Sequence, residues 1–420
     1  MASLRRLYRE APLPLSLKMK LRTIAARAQT VAKTMGRSTS APPAATPGSA
    51  KRFAALILGE TTPDPARDAG SLRIFNLVKE LLSIGGNVTF VPERDLGHAG
   101  APTAALEGMG VRCLHFPRIR SVGGLLQREG SAFDVVVLER VAVAHRYLDL
   151  VRRRSPKAAV IFDTQDLHYL RVRREAKLLG SLRIDREARA LERMERAAMA
   201  KADLTFVVSE YERDALLRED PDSKLAVLPL IMEPAPIDIP FADRRGVLFI
   251  GGFHHGPNLD AVRHFAAAIW PRVATALPDA VFHIVGGHPP IDIKALAGER
   301  IRVWGQVNDL TPLLGSCRLS VAPLRFGAGV KGKIATSLAH GLPCVVSPMG
   351  LEGSGLLPDR HVLLADDAAA FAEAIIHLYT DEEMWQRLSR AGVVFVAETY
   401  SSAAIRPRLE ATLRRLEVLA

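Results

Sequence analysis

RLSVAPLRFGAGVKGKIATSLAHGLPCVVSPMGLEG, residues 318–353, is the stretch on which the fold turns. Its apolar run 319–324 reads as a buried strand and empties into a glycine-rich turn, Gly327-Ala328-Gly329-Val330-Lys331-Gly332-Lys333. An amphipathic helix over 334–340 follows, is stopped by Gly341 and Pro343, and gives way to a second strand over 344–347. A strand, a glycine turn with two lysines and a helix N-terminus together make an anion site. Glycines let free N–H groups approach a phosphate, the helix dipole favours negative charge, and lysines add full charges.

Three readings compete for this turn. It contains G-x-G-x-x-G, and Glu352 stands roughly 20 residues on, where a dinucleotide fold places its ribose-binding acid. That fingerprint, however, belongs in the first βαβ unit of its fold, and this turn comes late in the chain. The turn is also a near miss to G-x-x-x-x-G-K-[ST], with Ile334 where a magnesium-binding hydroxyl should stand; isoleucine cannot ligate magnesium, so a P-loop fails on chemistry. The third reading is the diphosphate end of a nucleotide-sugar site.

Working outward, 420 residues are enough for two domains with full cores. Cys113, Cys317 and Cys344 are odd in number and widely spaced, which suits buried thiols in a reducing compartment rather than disulfides or zinc. Residues 1–50 hold nine lysines and arginines against one acid, a net +8 of the chain's formal +11. The remainder is close to neutral, which argues against a nucleic-acid-binding body. No apolar run approaches the roughly 18 residues of a membrane span, and the N-terminus lacks a signal peptide's apolar core. Two readings of residues 1–36 stand side by side: a solvated tail, or a basic segment lying on an anionic membrane.

From residue 53 the chain alternates strand and helix. Strands are expected at 54–58, 87–91, 111–116, 134–138, 158–162 and 204–208, with helices at 70–84 and 141–154 and a long helical region at 171–201. Prolines cluster over 229–245, and the alternation restarts with strands at 246–250, 280–285, 301–303 and 361–364 and helices at 258–277, 368–379, 382–397 and 403–419. The pattern predicts an α/β protein of two doubly wound lobes with a ligand in the cleft between them. The divisions are 1–50 as basic segment and linker, 51–230 as first lobe, 231–245 as connection, 246–400 as second lobe, and 401–420 as C-terminal helix.

FIGGFHHGPNLDAV (249–262), HIVGGHPP (283–290), VWGQVNDL (303–310) and the opening stretch come in the order and spacing of family-4-type, group 1 glycosyltransferases of the GT-B fold, which this chain resembles over about residues 53–417. PDPARDAGSLR (63–73), GGNVTFV (85–91) and IFDTQDLHYLRVRREA (161–176) resemble the acceptor-side lobe of the same bacterial group. The resemblance implies two Rossmann-like lobes and a retaining, hexosyltransferase-type reaction. A sugar passes from a nucleotide-diphosphate donor to the hydroxyl of a glycan or lipid-linked acceptor, with neither a bound metal nor another cofactor. It implies a cytoplasmic enzyme in assembly of a bacterial surface polysaccharide or glycolipid, with the basic N-terminus as a means of steering it to the inner face of the cytoplasmic membrane.

Lys331 and Lys333 are then the cations for the departing phosphate, and Gly327, Gly329 and Gly332 expose the backbone. Family members carry two glutamates spaced E-x7-E across this turn and helix; here those positions hold Ala328 and Thr336, of which only Thr336 keeps a hydroxyl. Glu352 is placed to compensate at the ribose. The family's arginine and lysine after the second lobe's first strand are replaced by Gly252, His254, His255 and Asn258.

By resemblance His168 touches the donor sugar, and Asp163 either orients it, takes the acceptor's proton, or caps the next turn. Gly70 offers close backbone approach to the phosphates; Asp68 and Ser71 read equally as helix caps, and Arg73 as an anion contact. His254 belongs with phosphate or sugar rather than metal, since no carboxylate or third histidine completes a ligand set. The Arg/Glu-rich 171–196 reads as a solvated helix face with i,i+4 pairs, and Trp270, Trp304 and Trp385 as packing residues. Three alternatives remain: a nucleotide-sugar 2-epimerase of the same shape, a sugar-nucleotide-binding protein without turnover, and a nicotinamide dehydrogenase.

Overall fold

Continuous apolar runs such as FAALILG bury both faces of a strand, as a parallel sheet covered by helices requires. The computed structural model describes residues 52–97 and 99–420. The basic segment 1–50, with its expected membrane contact, lies outside the described residues.

The first lobe runs β1 (Phe53–Gly59), α1 (Ala69–Ser83), β2 (Gly86–Pro92), α2 (Ala101–Gly108), β3 (Arg112–Cys113), α3 (Val122–Glu129), β4 (Val135–Glu139), α4 (Arg140–Arg154), β5 (Ala159–Asp163), α5 (His168–Leu179), α6 (Leu182–Lys201), β6 (Leu204–Val207), α7 (Glu210–Glu219) and β7 (Leu225–Val227). The second runs β8 (Val247–Ile250), α8 (Gly256–His264), α9 (Trp270–Ala276), β9 (Phe282–Val285), α10 (Ile291–Lys294), β10 (Ile301–Gly305), α11 (Thr311–Ser316), β11 (Leu319–Ala322), α12 (Gly332–Ala339), β12 (Cys344–Val346), α13 (Pro348–Leu351), β13 (Leu363–Leu364), α14 (Ala368–Thr380) and α15 (Glu382–Thr399), and α16 (Ser402–Arg415) closes the chain.

The sheets are ordered β3-β2-β1-β4-β5-β6-β7 and β10-β9-β8-β11-β12-β13, with parallel pairing, so each lobe is doubly wound as expected. Strand order reverses between β1 and β4 in one lobe and between β8 and β11 in the other. Loops that follow these strands diverge there and leave a crevice at the carboxyl edge. The glycine turn follows β11, at the second lobe's reversal point.

Some elements differ from expectation for local reasons. The helical region at 171–201 begins earlier and is two helices, because Gly180 adopts φ +61° and ends α5. The helix expected at 258–277 carries a π-helical turn at Phe265–Ile269 just before Trp270-Pro271; Pro271 has no N–H and would clash with the carbonyl four residues back. Trp270 and Trp385 pack in the second core, but Trp304 is exposed on edge strand β10, its Nε1 donating to His283 Nδ1 at 3.1 Å. Cys113, Cys317 and Cys344 are free and buried.

Two connections hold the lobes together. The segment after β7 runs along α12, with Ala235 and Ile237 N–H donating to the carbonyls of Ala339 and His340. Helix α16 crosses back, burying Ile405, Leu409 and Leu413 in the first lobe's core, and Arg406 pairs with Glu80 of α1 at 2.9 Å. Arg73 is the buried rivet under the crossing. Its Nη1 meets Asp163 Oδ2 at 2.5 Å, while its Nε and Nη2 donate to the carbonyls of Pro229 and Leu228. Removing one member of a buried pair leaves an uncompensated charge, whereas removing both does not. Arg73→Met should therefore destabilise the chain by about 3–5 kcal/mol. The double variant Arg73→Met/Asp163→Leu should lose less than the single one, as read by urea unfolding of the three proteins.

Candidate active site

The two reversal points face each other, and two helix N-termini meet between them. A Cβ on Gly332, the first residue of α12, would overlap that of Ala69, the first residue of α1. Both helices turn unpaired N–H groups and the positive ends of their dipoles toward this point. Asp68 caps α1, its Oδ1 accepting from Ser71 N at 2.8 Å, so the capping reading holds for Asp68. Gly329 sits at φ +67°, and a side chain there would meet Asp166 Cβ at 3.0 Å. Only glycine fits that backbone and that approach.

Lys331 is 8% exposed and donates from Nζ to Gly329 O at 2.7 Å. Burial pushes its pKa down to about 8 against the pull of Glu352. Lys333 takes another direction. Its ammonium donates to Asn258 Oδ1 and lies 4.4 Å from the Phe249 ring centroid, and burial pushes its pKa down to about 7. Asn258 in turn donates to Gly252 O at 2.9 Å, so Lys333 braces the loop after β8 and Asn258 is no helix cap. Thr336 lies one turn into α12, half-buried, and its carbonyl accepts from His340 Nδ1.

His168 opens α5 across the cleft. Asp163 does not orient it: that carboxylate is fully buried and held by Arg73, so the acid–base role expected of Asp163 fails on access. Arg73 is spent on the same pair and on two carbonyls, so it does not reach an anion. Asp166 is the residue beside His168, with Oδ1 2.8 Å from Nε2. Burial works against ionised Asp166, but His168 and Arg171 hold it well below the carboxylate range.

Two buried glutamates pin the loop that carries these groups. Glu195 accepts from the His168 and Tyr169 N–H groups at 2.9 and 3.1 Å, and Glu212 accepts from Leu167 and Val208 N–H at 3.3 Å each. Burial pushes both up to about 7.

Glu352 is tied across the cleft. Arg174, from α5 of the opposite lobe, grips it at 2.6 and 2.8 Å, one nitrogen per oxygen, and also donates to Gly327 O at 2.8 Å. The 171–196 region therefore holds more than a solvated face. Arg189–Asp185 and Arg196–Glu192 are i,i+4 pairs, but Arg174 spans the cleft and Glu195 is buried.

A cluster at the ends of β1, β4 and β5 escaped the sequence reading. Arg140 adopts φ +66° and Gln165 φ +60°, left-handed backbone that non-glycine residues seldom hold. Arg140 Nη2 donates to Gln165 Oε1 at 3.0 Å, and Gln165 Nε2 donates to Glu139 Oε1 at 2.7 Å. Gly70 makes room, since a Cβ there would meet Gln165 Oε1 at 2.5 Å and Arg140 Nη2 at 2.8 Å. Burial pushes Glu139 up to about 7 despite Arg140, and Arg140 with Arg94 keeps Glu60 low despite its burial. On the facing loop, burial pushes His254 down while Asp68 across the cleft pulls it up, and His288 also stands at positive φ, +58°. Five non-glycine residues among those described have positive φ, and three of them, Arg140, Gln165 and His288, stand just beyond strand ends at this cleft. Among the described residues no three His, Cys, Asp or Glu side chains group as metal ligands would.

The sheet orders and the facing reversal points define a two-lobed GT-B fold, and solved structures share it. Sucrose-phosphate synthase from Thermosynechococcus elongatus superposes with a TM-score of 0.65 at 18% identity, covering 87% of this chain and 99% of that one. HepE from Anabaena, solved in complex with UDP and glucose, gives 0.64 at 15% over 86% and 100%. A glycosyltransferase from Rickettsia africae gives 0.62 at 11% over 87% and 98%. Residues 244–381, most of the second lobe, match the family model of group 1 glycosyl transferases. An uncharacterized 44.6 kDa protein in the cps region of Klebsiella pneumoniae is 25% identical over 198 residues. That alignment covers 44% of this chain and 51%, about half, of the relative.

Because burial depresses Lys331, an anion that restores its charge must bind with proton uptake. Pyrophosphate should therefore bind more weakly as pH rises above about 8, by up to about tenfold per unit. Titration calorimetry in buffers of different ionisation enthalpy reads both affinity and proton uptake; Lys331→Met should flatten the dependence.

Proposed function

We propose that the protein transfers a sugar from a nucleotide-diphosphate donor to an acceptor hydroxyl, and that it retains the anomeric configuration. The observation that carries this reading is the convergence of the α1 and α12 N-termini, the glycine turn and buried Lys331 on one point of the cleft. Charge develops on the leaving diphosphate as the glycosidic bond breaks, and fixed N–H groups and a cation there lower the barrier without rearranging. The group 1 match in the second lobe and the likeness to HepE, solved with UDP and glucose, support the same assignment.

In the proposed reaction the acceptor oxygen attacks the anomeric carbon from the face the diphosphate leaves. The C–O bond to the β-phosphate breaks, its electron pair stays on the phosphate oxygen, and the acceptor's proton passes to that oxygen. Lys331 and the two helix ends hold the diphosphate, and His168 bears on the donor sugar. Arg140, Gln165 and Glu139 line the acceptor side, and no metal is needed for this charge balance. The place of the Klebsiella pneumoniae relative in a cps region supports a role in bacterial surface polysaccharide or glycolipid assembly. Among the described residues no helix is long and apolar enough to cross a membrane.

Ala328 and Thr336, neither of which is a carboxylate, favour a second reading, donor binding without turnover. Incubation with UDP-, GDP- and dTDP-sugars and candidate acceptors separates the readings. Transfer is expected for one donor class, and Lys331→Ala/Lys333→Ala should lower its rate at least about a hundredfold with folding intact. A thermal shift without turnover would support the binding protein, and a new epimer formed without acceptor would support an epimerase. His168→Ala should lower kcat more than it raises KM, measured with the donor that works.

A further inference from the structure

We propose that the tip of the α5–α6 hairpin is a docking surface for an anionic lipid membrane. Among the described residues ten large hydrophobic side chains are exposed, and three of them fall within five consecutive positions: Leu178 at 38%, Leu179 at 60% and Leu182 at 76%. Single exposed leucines are ordinary, but a cluster on a projecting turn marks a contact site.

Local chemistry makes the turn tight. Gly180, at φ +61°, ends α5, Ser181 N–H returns to Ala176 O at 3.0 Å, and the Ser181 hydroxyl caps α6. A turn of this kind usually folds an apolar side chain back onto the helix it ends; here the three leucines point to solvent instead. Lys177, Arg183 and Arg186 are exposed around them, and none forms an ion pair among those found in the described residues. Nearby Asp185 is taken by Arg189 at 2.8 Å. Apolar side chains to insert and a basic ring to meet anionic headgroups are the two signals that peripheral membrane binding requires.

The hairpin is stiff enough to act as a foot. Arg173 pairs with Glu192, and the guanidinium carbons of Arg173 and Arg196 lie 5.3 and 5.8 Å from the Tyr169 ring centroid. A second copy of this chain is a poorer occupant. Three leucines and their surroundings fall well short of the roughly 1,600 Å² that a standard protein interface buries.

The placement suits the cleft. Helix α5 starts at His168, borders the cleft with Arg174 and Glu175, and then reaches Leu179. The eleven steps from His168 to Leu179 span about 16 Å of helix. A membrane seated on the tip would thus present a lipid-linked acceptor within reach of the cleft mouth. This orientation rests on the proposed glycosyltransferase reading; the docking surface itself does not.

Vesicle flotation of the full chain tests it, with phosphatidylcholine alone and with added phosphatidylglycerol. The chain should float with the anionic vesicles, and Leu178→Ser/Leu179→Ser/Leu182→Ser should lower its partitioning at least roughly tenfold. Lys177→Glu/Arg183→Glu/Arg186→Glu should remove most of the preference for phosphatidylglycerol. Unchanged pyrophosphate affinity and melting temperature in both variants would show the fold and cleft intact. The proposal is overturned if the leucine variant floats like the parent, which would assign binding to residues outside the tip, or if the parent does not float. It is equally overturned if ultracentrifugation shows a dimer that the leucine variant dissociates. A chain that floats through its tip but transfers no sugar keeps the docking surface and removes the proposed function.

Discussion

Two helix N-termini held face to face are the constraint on which the rest of the structure depends. Helices α1 and α12 both direct the positive ends of their dipoles at the contact between Ala69 and Gly332, an arrangement that repels itself unless negative charge stands close. Asp68 caps one end, and Asp166 lies against the glycine turn that leads to the other. The backbone of Gly332 lies against the Ala69 methyl and that of Gly329 against Asp166 Cβ, so neither glycine has room for a side chain of its own.

Other parts of the molecule oppose that repulsion. The segment after β7 is fastened to the C-terminal end of α12, and α16 returns to bury three residues in the first lobe. Arg174 adds a direct bridge, giving two guanidinium nitrogens to Glu352 and one of them also to Gly327 O. Half-buried bidentate pairs of this kind are stronger and better oriented than exposed ones. The bridge lies beside the glycine turn, so one side chain both ties the lobes and holds the turn through Gly327 O.

The fold was legible because its evidence is local. Apolar runs, the stops at Gly341 and Pro343, and the prolines of 229–245 each report on a few neighbouring residues, and together they gave two doubly wound lobes. The glycine turn was legible for the same reason. The site's side-chain pairings were not. Arg174 and Glu352 are separated by 178 positions, and Arg73 and Asp163 by 90, and in each case the partner is chosen by the fold. Spacing within α5 and α6 suggested i,i+4 pairs and gave no sign that Glu195 turns inward to hold the His168 N–H. Arg140 and Gln165 were hidden for another reason: left-handed backbone at a non-glycine residue leaves no periodic or compositional trace.

Electrostatics around the cleft set opposite pH windows for its acids and its lysines. Glu139, Glu195 and Glu212 are each raised from 4.5 to about 7, chiefly by burial. The stability they contribute is fully present below 4.5 and is lost as pH rises through 7. Lys331 and Lys333 are lowered from 10.5 to about 8 and about 7, again by burial. Their burial penalty is full below those values and is relieved only as pH climbs toward 10.5. For these five groups stability is therefore lowest close to neutrality, where the acids have ionised and the lysines have not yet been relieved. The minimum follows from burial alone: the same apolar surroundings raise the acids and lower the lysines, so neither set keeps its preferred charge state near pH 7.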